Sequence, residues 1–346
     1  MGSSASALQD FRATEQAVEG PVVLASGPTF WAIELPYGDK SQQRIVAPDA
    51  DMEAEVRQAA ALGADFIKVY AGFGPVRLED LANAARRAGL PLTGHAQPGL
   101  DLDAQARLGL SIVEHLETST FTGCGVDPDL YFDRIIAARF GGSGETLPDI
   151  MADFAGDLDR PACVAMFERA AAAGLAITPT LEATLLPPTL ARDLSGTLPP
   201  DQREGCDVYL RGFGDLTQTS ETTYLQAGAT LLGIIREAGV PFLAGTDAPA
   251  FCGTPGQSLA RELRLLGEAG LTPLEVLQSA TLNPARALGF GDSLGAIAPG
   301  LEAHILLLGR NPLDGPAAYE RPVGLLTQGR WRDEGDLDRL RLPPSD

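Results

Sequence analysis

The sequence predicts an α/β protein: a TIM-like (β/α) barrel that lacks its first strands, followed by a small C-terminal β appendage. Three observations carry that expectation. Short apolar runs alternate with amphipathic helical stretches over residues 21–290, the rhythm of a parallel sheet covered on both faces. Four of those runs, 64–68, 91–95, 111–115 and 241–247, end in a residue able to hold or serve a metal ion: Lys68, His95, His115 and Asp247. Beyond residue 291 the pattern changes to short β segments separated by Pro-Gly and Asn-Pro turns.

The elements follow in order. Residues 7–17 read as an opening helix and 21–27 as a short buried strand. A helix over 51–62 sets Met52, Val56, Ala59 and Ala60 on one face. The Lys68 strand comes next, then a helix over 78–88 closed by Gly89, the His95 strand, a short helix and the His115 strand. The Gly- and Asp-rich stretch 115–160 is expected to pass over the barrel mouth, with one helix near 128–139. A helix over 161–173, ended by Gly174, leads into a strand over 175–181. A Pro-rich loop (Pro187-Pro188, Pro199-Pro200) precedes a helix over 222–238 and the Asp247 strand. Helices over 257–269 and 273–288 close the domain, the second with Pro at its first turn. Segments 294–300, 304–308 and 323–331 read as β. The expected division is therefore a barrel domain over 1–290, incomplete at its N-terminus, and a remnant of a small β domain with a tail over 291–346. A closed parallel barrel needs eight strands, and only six are recognisable.

Composition narrows the class. With 346 residues, 45% of them hydrophobic, the chain can bury a large core. Its apolar runs are too short, and too often broken by Gly or Pro, to span a bilayer. Residues 1–6 offer neither a basic start nor an apolar stretch, so a cytoplasmic location is expected. The net charge of −20 opposes nucleic acid or an anionic membrane as partner and fits a solvated acidic surface. The four cysteines are scattered without a C-x-x-C pair and read as reduced thiols. A small-molecule substrate and self-association through unpaired sheet edges are the expected contacts.

The chain resembles the amidohydrolase superfamily, in particular the branch with imidazolonepropionase-like and dipeptide-hydrolysing members. The resemblance rests on the stretches 64–70, Thr93-Gly94-His95-Ala96, Val113-Glu114-His115-Leu116, 244–249, 280–289 and 295–300, in that order and spacing. It implies a metal-dependent hydrolase of C–N bonds (amide, cyclic amide or dipeptide) that uses activated water as nucleophile. One or two divalent ions, zinc foremost, would be held by Lys68, carboxylated by carbon dioxide, with His95, His115 and Asp247. Asp247 would also move the proton. The chain departs from the family in having no His-x-His pair and in carrying His304 where a carboxylate is usual. An N-terminally shortened member is therefore expected.

Each residue also has a plainer reading. Lys68 could pair with a carboxylate inside the barrel, or serve as a Schiff-base lysine in a lyase. His95 and His115 could be satisfied core histidines, and Asp247 could cap a turn. Tyr70, Gln97 and Thr180 stand near strand ends as candidates for substrate binding, yet each also suits barrel packing, as do Thr178 and Glu182. The rival functions are a non-catalytic paralogue that binds a small molecule or a partner, and the lyase.

Overall fold

The computed structural model describes residues 3–14, 21–34, 40–70, 72–215 and 217–340. Six strands, β1 (Thr29–Trp31), β2 (Gln43–Ile45), β3 (Ile67–Val69), β4 (Leu92–Gly94), β5 (Leu110–Glu114) and β6 (Ala176–Thr178), form one all-parallel sheet in the order β2-β1-β3-β4-β5-β6. Helices Met52–Ala61, Pro75–Arg87 and Leu102–Leu108 precede β3, β4 and β5. This is the expected α/β alternation. Strand cores such as Ile67, Val69 and Val113 have no exposed surface, as a sheet covered on both faces requires. Three further strands, β7 (Ile305–Leu308), β8 (Pro322–Thr327) and β9 (Arg330–Asp333), form the small antiparallel C-terminal sheet. The chain packs as two compact units, Met1–Thr178 with Arg211–Val240, and Pro179–Leu210 with Pro241–Asp346. The parallel sheet belongs to the first unit and the antiparallel sheet to the second.

Several expected elements are corrected. Residues 21–27 are not a strand. Their backbone is tied to side chains instead: Asp65 accepts from the Ala25 amide at 2.7 Å, and Arg12 donates to the Val23 carbonyl. The first strand starts beyond Pro28, and the polar strand β2 follows it. Residues 15–17 of the expected opening helix lie outside the described residues. The Asp247 run is not a strand either. The Ala244 amide donates to the Ser279 carbonyl at 2.8 Å and the Asn283 side chain donates to the Phe242 carbonyl at 3.0 Å, so beyond a lone bridge at Phe242 the run is held by helix ends. The helix expected over 273–288 is split into Pro273–Ser279 and Leu282–Ala287, which frees that Ser279 carbonyl. The Pro-rich loop is mostly helical: Leu181–Thr184, Pro188–Ser195 and Pro200–Arg211. Its prolines sit at helix starts, where a missing N–H costs nothing. Residues 294–300 carry no strand.

The cysteines also differ from expectation. Cys124 pairs with Cys163 inside the first unit and Cys206 with Cys252 inside the second. Each disulfide joins residues that the fold brings to within 4.5 Å or 4.4 Å between Cα atoms, although they lie 39 and 46 positions apart in sequence. Spacing in the sequence could not reveal that closeness.

Gly94, the last residue of β4, is fixed by close backbone approach. Its φ is +134°, and a Cβ there would lie 1.9 Å from the Val69 carbonyl oxygen of the neighbouring strand. Only glycine allows β3 and β4 to pair where the chain turns into His95.

In the second unit, helix Ser258–Glu268 packs on helix Leu181–Thr184 around a buried charge cluster. Arg261 donates Nε (2.7 Å) and Nη2 (2.5 Å) to Oε1 of Glu182, and the Glu182 amide donates to Oε2 of Glu262 at 2.8 Å. Oε2 of Glu182 and Oε1 of Glu262 have no partner among the described residues. The guanidinium is committed to Glu182, and Glu262 is met by amides alone. Burial, aided by the Glu182 charge and opposed by the amides of Glu182 and Leu181, pushes the Glu262 carboxyl up to about 8, so it is a neutral acid at pH 7.

Four outcomes are expected of this architecture. Gly94→Ala should lower the unfolding free energy in urea by more than about 3 kcal/mol. Gly156→Ala, in the helix Leu147–Asp157 with open space around it, should be neutral or mildly stabilising. Thiol titration of the chain denatured without reductant should find none of the four cysteines reactive, and all four after reduction. Finally, the folded Glu262 keeps a proton that the unfolded chain, with the ordinary value of 4.5, has released. Stability should therefore fall as pH rises from about 4.5 to about 8, by at most about 1.4 kcal/mol per pH unit. Glu262→Gln, which mimics the neutral acid, should remove that slope from pH-dependent melting curves. A slope unchanged in the variant would contradict the assignment.

Candidate metal centre

Strand register in the first unit brings a row of side chains to one edge. β3 and β4 pair Lys68 with Thr93 and Val69 with Gly94, so Tyr70 and His95 emerge side by side. The Tyr70 amide donates to Phe30 and the His95 amide to Val69, which continues each ladder by one step. Trp31, Tyr70, His95 and His115 each end or follow a strand, on β1, β3, β4 and β5 in their spatial order. Their rings form a column, with centroids 3.8 Å apart from Trp31 to Tyr70, 3.9 Å from Tyr70 to His95 and 4.6 Å from His95 to His115. Neighbouring strands lie about 4.8 Å apart, so the column repeats the sheet spacing.

Beside the column lies a buried ion pair. Lys68, in the middle of β3, is bonded through Nζ to Oε2 of Glu114, the last residue of β5; the side chains are only 5% and 16% exposed. Oε2 of Glu114 also lies 3.9 Å from Nε2 of His115. Burial raises the Glu114 carboxyl, but the Lys68 ammonium and then His115 and His95 outweigh it and bring it down to about 2. Glu117 behaves alike: burial opposes ionisation, and the charge and hydrogen bond of His95 overcome it, to about 2 as well. Nδ1 of His95 and Oε2 of Glu117 are 3.2 Å apart.

One nitrogen each of His95 and His115 and one oxygen of Glu114 lie within 4.8 Å of one another. Two imidazoles and a carboxylate held anionic are the nitrogen and oxygen donors that a zinc-type ion takes. The donor chemistry fits a divalent metal.

The structure thus brings Lys68, His95, His115 and Tyr70 together in the first unit. Gln97 is there too, but its amide is spent on backbone. It accepts from the Phe73 amide (3.0 Å) and donates to the carbonyls of Tyr70 (3.1 Å) and His95 (2.9 Å). Asp247 and Thr180 belong to the second unit. Both have left-handed backbone, φ +55° and +50°, a conformation that His115 shares at +70°. The Asp247 carbonyl accepts from the Ala250 amide at 2.8 Å, and Thr180 starts the helix Leu181–Thr184.

Sequence reasoning passed over Glu114, Glu117 and Trp31. The signal for the glutamates was present: Glu114-His115-Leu116-Glu117 puts three ionisable groups at the end of a buried strand. Nothing in the sequence marked Trp31, because no ionisable residue ends its short strand.

Solved structures resemble this fold. Bottromycin amidohydrolase is 24% identical with a TM-score of 0.68, over 96% of this chain and 70% of that one. A Xaa-Pro dipeptidase with bound methionine is 19% identical with a TM-score of 0.59, over 95% and 72%. Ochratoxinase of A. niger is 17% identical with a TM-score of 0.59, over 95% and 70%. No curated protein matches the sequence. At these identities the likeness establishes the fold, an α/β barrel type with a small β sheet. The model of the amidohydrolase family matches residues 11–331, nearly the whole chain, and on that ground the chain belongs to the amidohydrolase family of hydrolases.

Proposed function

We propose that this chain hydrolyses amide-type C–N bonds, in dipeptides or cyclic amides, with a divalent metal held by His95, Glu114 and His115. The observation that carries the reading is the convergence of two imidazoles and one ionised carboxylate at the carboxyl edge of a parallel sheet, where barrel enzymes keep their chemistry. Similarity to a Xaa-Pro dipeptidase and to bottromycin amidohydrolase supports an amide substrate. A bound ion would supply Lewis-acid polarisation of the scissile carbonyl and acidify a water.

The chain's own groups do the rest. Glu114 offers an anionic oxygen already stripped of a proton, so metal binding there releases none. Lys68 is paired through Nζ with the Glu114 carboxylate, which favours the ion-pair reading over a Schiff-base nucleophile, whose nitrogen must be free to attack. The resemblance adds a second state: carboxylation would turn Lys68 into an oxygen donor beside Glu114, and two adjacent anions need the metal's charge to coexist. Zinc is the foremost candidate ion, because nitrogen and carboxylate donors suit it. The general-base role that the resemblance gives Asp247 remains part of this proposal. The two disulfides support maturation in oxidising surroundings in place of the cytoplasm expected from sequence. No helix among the described residues is long and apolar enough to cross a membrane.

The test is metal content by elemental analysis and calorimetric titration with zinc, manganese and cobalt, with and without bicarbonate, followed by a panel of Xaa-Pro and other dipeptides. Stoichiometric binding and amine release are expected. His115→Ala should abolish both, and Asp247→Asn should lower kcat by at least about 100-fold while the metal is retained. A protein that takes up no metal and releases no amine would end the proposal. Enhancement by bicarbonate that Lys68→Met removes would identify the carboxylated state.

A further inference from the structure

Glu117 has no role in the fold that its position predicts. It stands at the start of the short turn Thr118–Phe121, where a side chain ordinarily accepts from the turn's free amides, yet its carboxylate makes no such bond. It turns instead to His95, with Oε2 3.2 Å from Nδ1. The turn that carries it is firmly held. The Thr120 amide donates to the Glu117 carbonyl at 3.1 Å, Thr120 Oγ1 donates to the His115 carbonyl at 3.3 Å, and Thr118, Thr120 and Phe121 are buried.

His95 is held on its other sides as well. Its amide donates to Val69, its carbonyl accepts from Gln97, and its ring lies between Tyr70 and His115. Ring rotation is thereby restricted, and what remains to be set is which nitrogen carries the proton. An anionic acceptor at Nδ1 sets it, because a carboxylate accepts and cannot donate. Glu117 is absent from the trio of mutually close donors, and 36% of its side chain is exposed.

We propose that Glu117 is the positioning residue for His95: it binds the protonated Nδ1 edge and thereby presents Nε2 as a lone-pair donor to the metal. This rests on the metal reading above and goes beyond it by assigning a residue that acts through a ligand. Outer carboxylates of this kind raise ligand basicity, and their loss lowers metal affinity by roughly 10- to 100-fold.

The chain has only three histidines, so imidazole nitrogens labelled with nitrogen-15 give a spectrum that three point variants assign completely. In the metal-free wild type at pH 8, His95 should show a protonated Nδ1 and an unprotonated Nε2. Glu117→Ala should shift His95 toward the Nε2-protonated tautomer favoured by free imidazole and weaken zinc binding by roughly 10- to 100-fold in a chelator competition. The patterns of His115 and His304 should stay unchanged. Glu117→Gln keeps a carbonyl acceptor and should restore the Nδ1-protonated tautomer, a rescue that a merely structural role would not give. An unchanged His95 pattern in Glu117→Ala overturns the proposal. So does a loss of affinity as complete as that of His95→Ala without a tautomer shift, which would make Glu117 itself a ligand. Failure of the wild type to bind zinc is read before any variant is made; it overturns the metal reading, and this inference with it.

Discussion

The candidate centre depends on one constraint: neighbouring parallel strands end at the same level. Because β3 pairs Val69 with Gly94 of β4, and β4, past a register shift at Leu92/Thr93, pairs Gly94 with Val113 of β5, residues 70, 95 and 114–115 leave the sheet together, and a ring spacing near 4 Å follows from strand spacing. Gly94 shows how tight that constraint is. The strands approach so closely at its position that a single methyl group would overlap the backbone of β3. The residue before the first imidazole is therefore fixed by packing, and the imidazole by what packing permits.

Electrostatics builds on this frame. A chain with net charge −20 places a lysine in the interior of its sheet and surrounds it with histidine and glutamate. Burying Lys68 alone would cost several kcal/mol, and Glu114 offsets that cost by direct pairing. The pair also keeps Glu114 ionised where burial would otherwise protonate it. The second unit shows the opposite outcome with the same residue type. There Arg261 is committed to Glu182, and Glu262 receives only amide N–H groups, so it keeps its proton. Glu114, paired with a cation, stays ionised; Glu262, met only by amides, keeps its proton.

How much of this could be read in advance depended on length and period. The strands that carry Lys68, His95 and His115 were legible because each apolar run stops at an ionisable residue and is followed by a helix with a clear face. The (β/α) class was legible for the same reason. Strands β1 and β2 were not, since no α-helix among the described residues separates them and β2 is polar. Prolines 187–200 were read as loop because Pro breaks helices more often than it starts them, yet here they start them. The Asp247 run looked like a strand because it is apolar and short, but its backbone partners are Ser279 and Asn283, far along the chain. Disulfide pairing and the partners of Glu117 are likewise tertiary facts. What the sequence does carry is the cluster of charge around His115, which marks a strand end as unusual before any coordinate is known.

The backbone at His115 explains how the side chains of two adjacent residues come together. On a regular strand Glu114 and His115 would point to opposite faces of the sheet. His115 instead has φ +70°, a left-handed conformation that costs a non-glycine residue about 1–2 kcal/mol. That single departure breaks the alternation at the strand's last step and lets the imidazole approach the carboxylate that precedes it, to 3.9 Å. Its amide still finds the Thr178 carbonyl on β6 at 2.7 Å, so the sheet holds the strained residue in place. A glycine would adopt this backbone without strain but would bring no donor. The strain at His115 thus accompanies the placing of an imidazole nitrogen and a carboxylate oxygen on one side of a chain whose geometry otherwise separates consecutive residues.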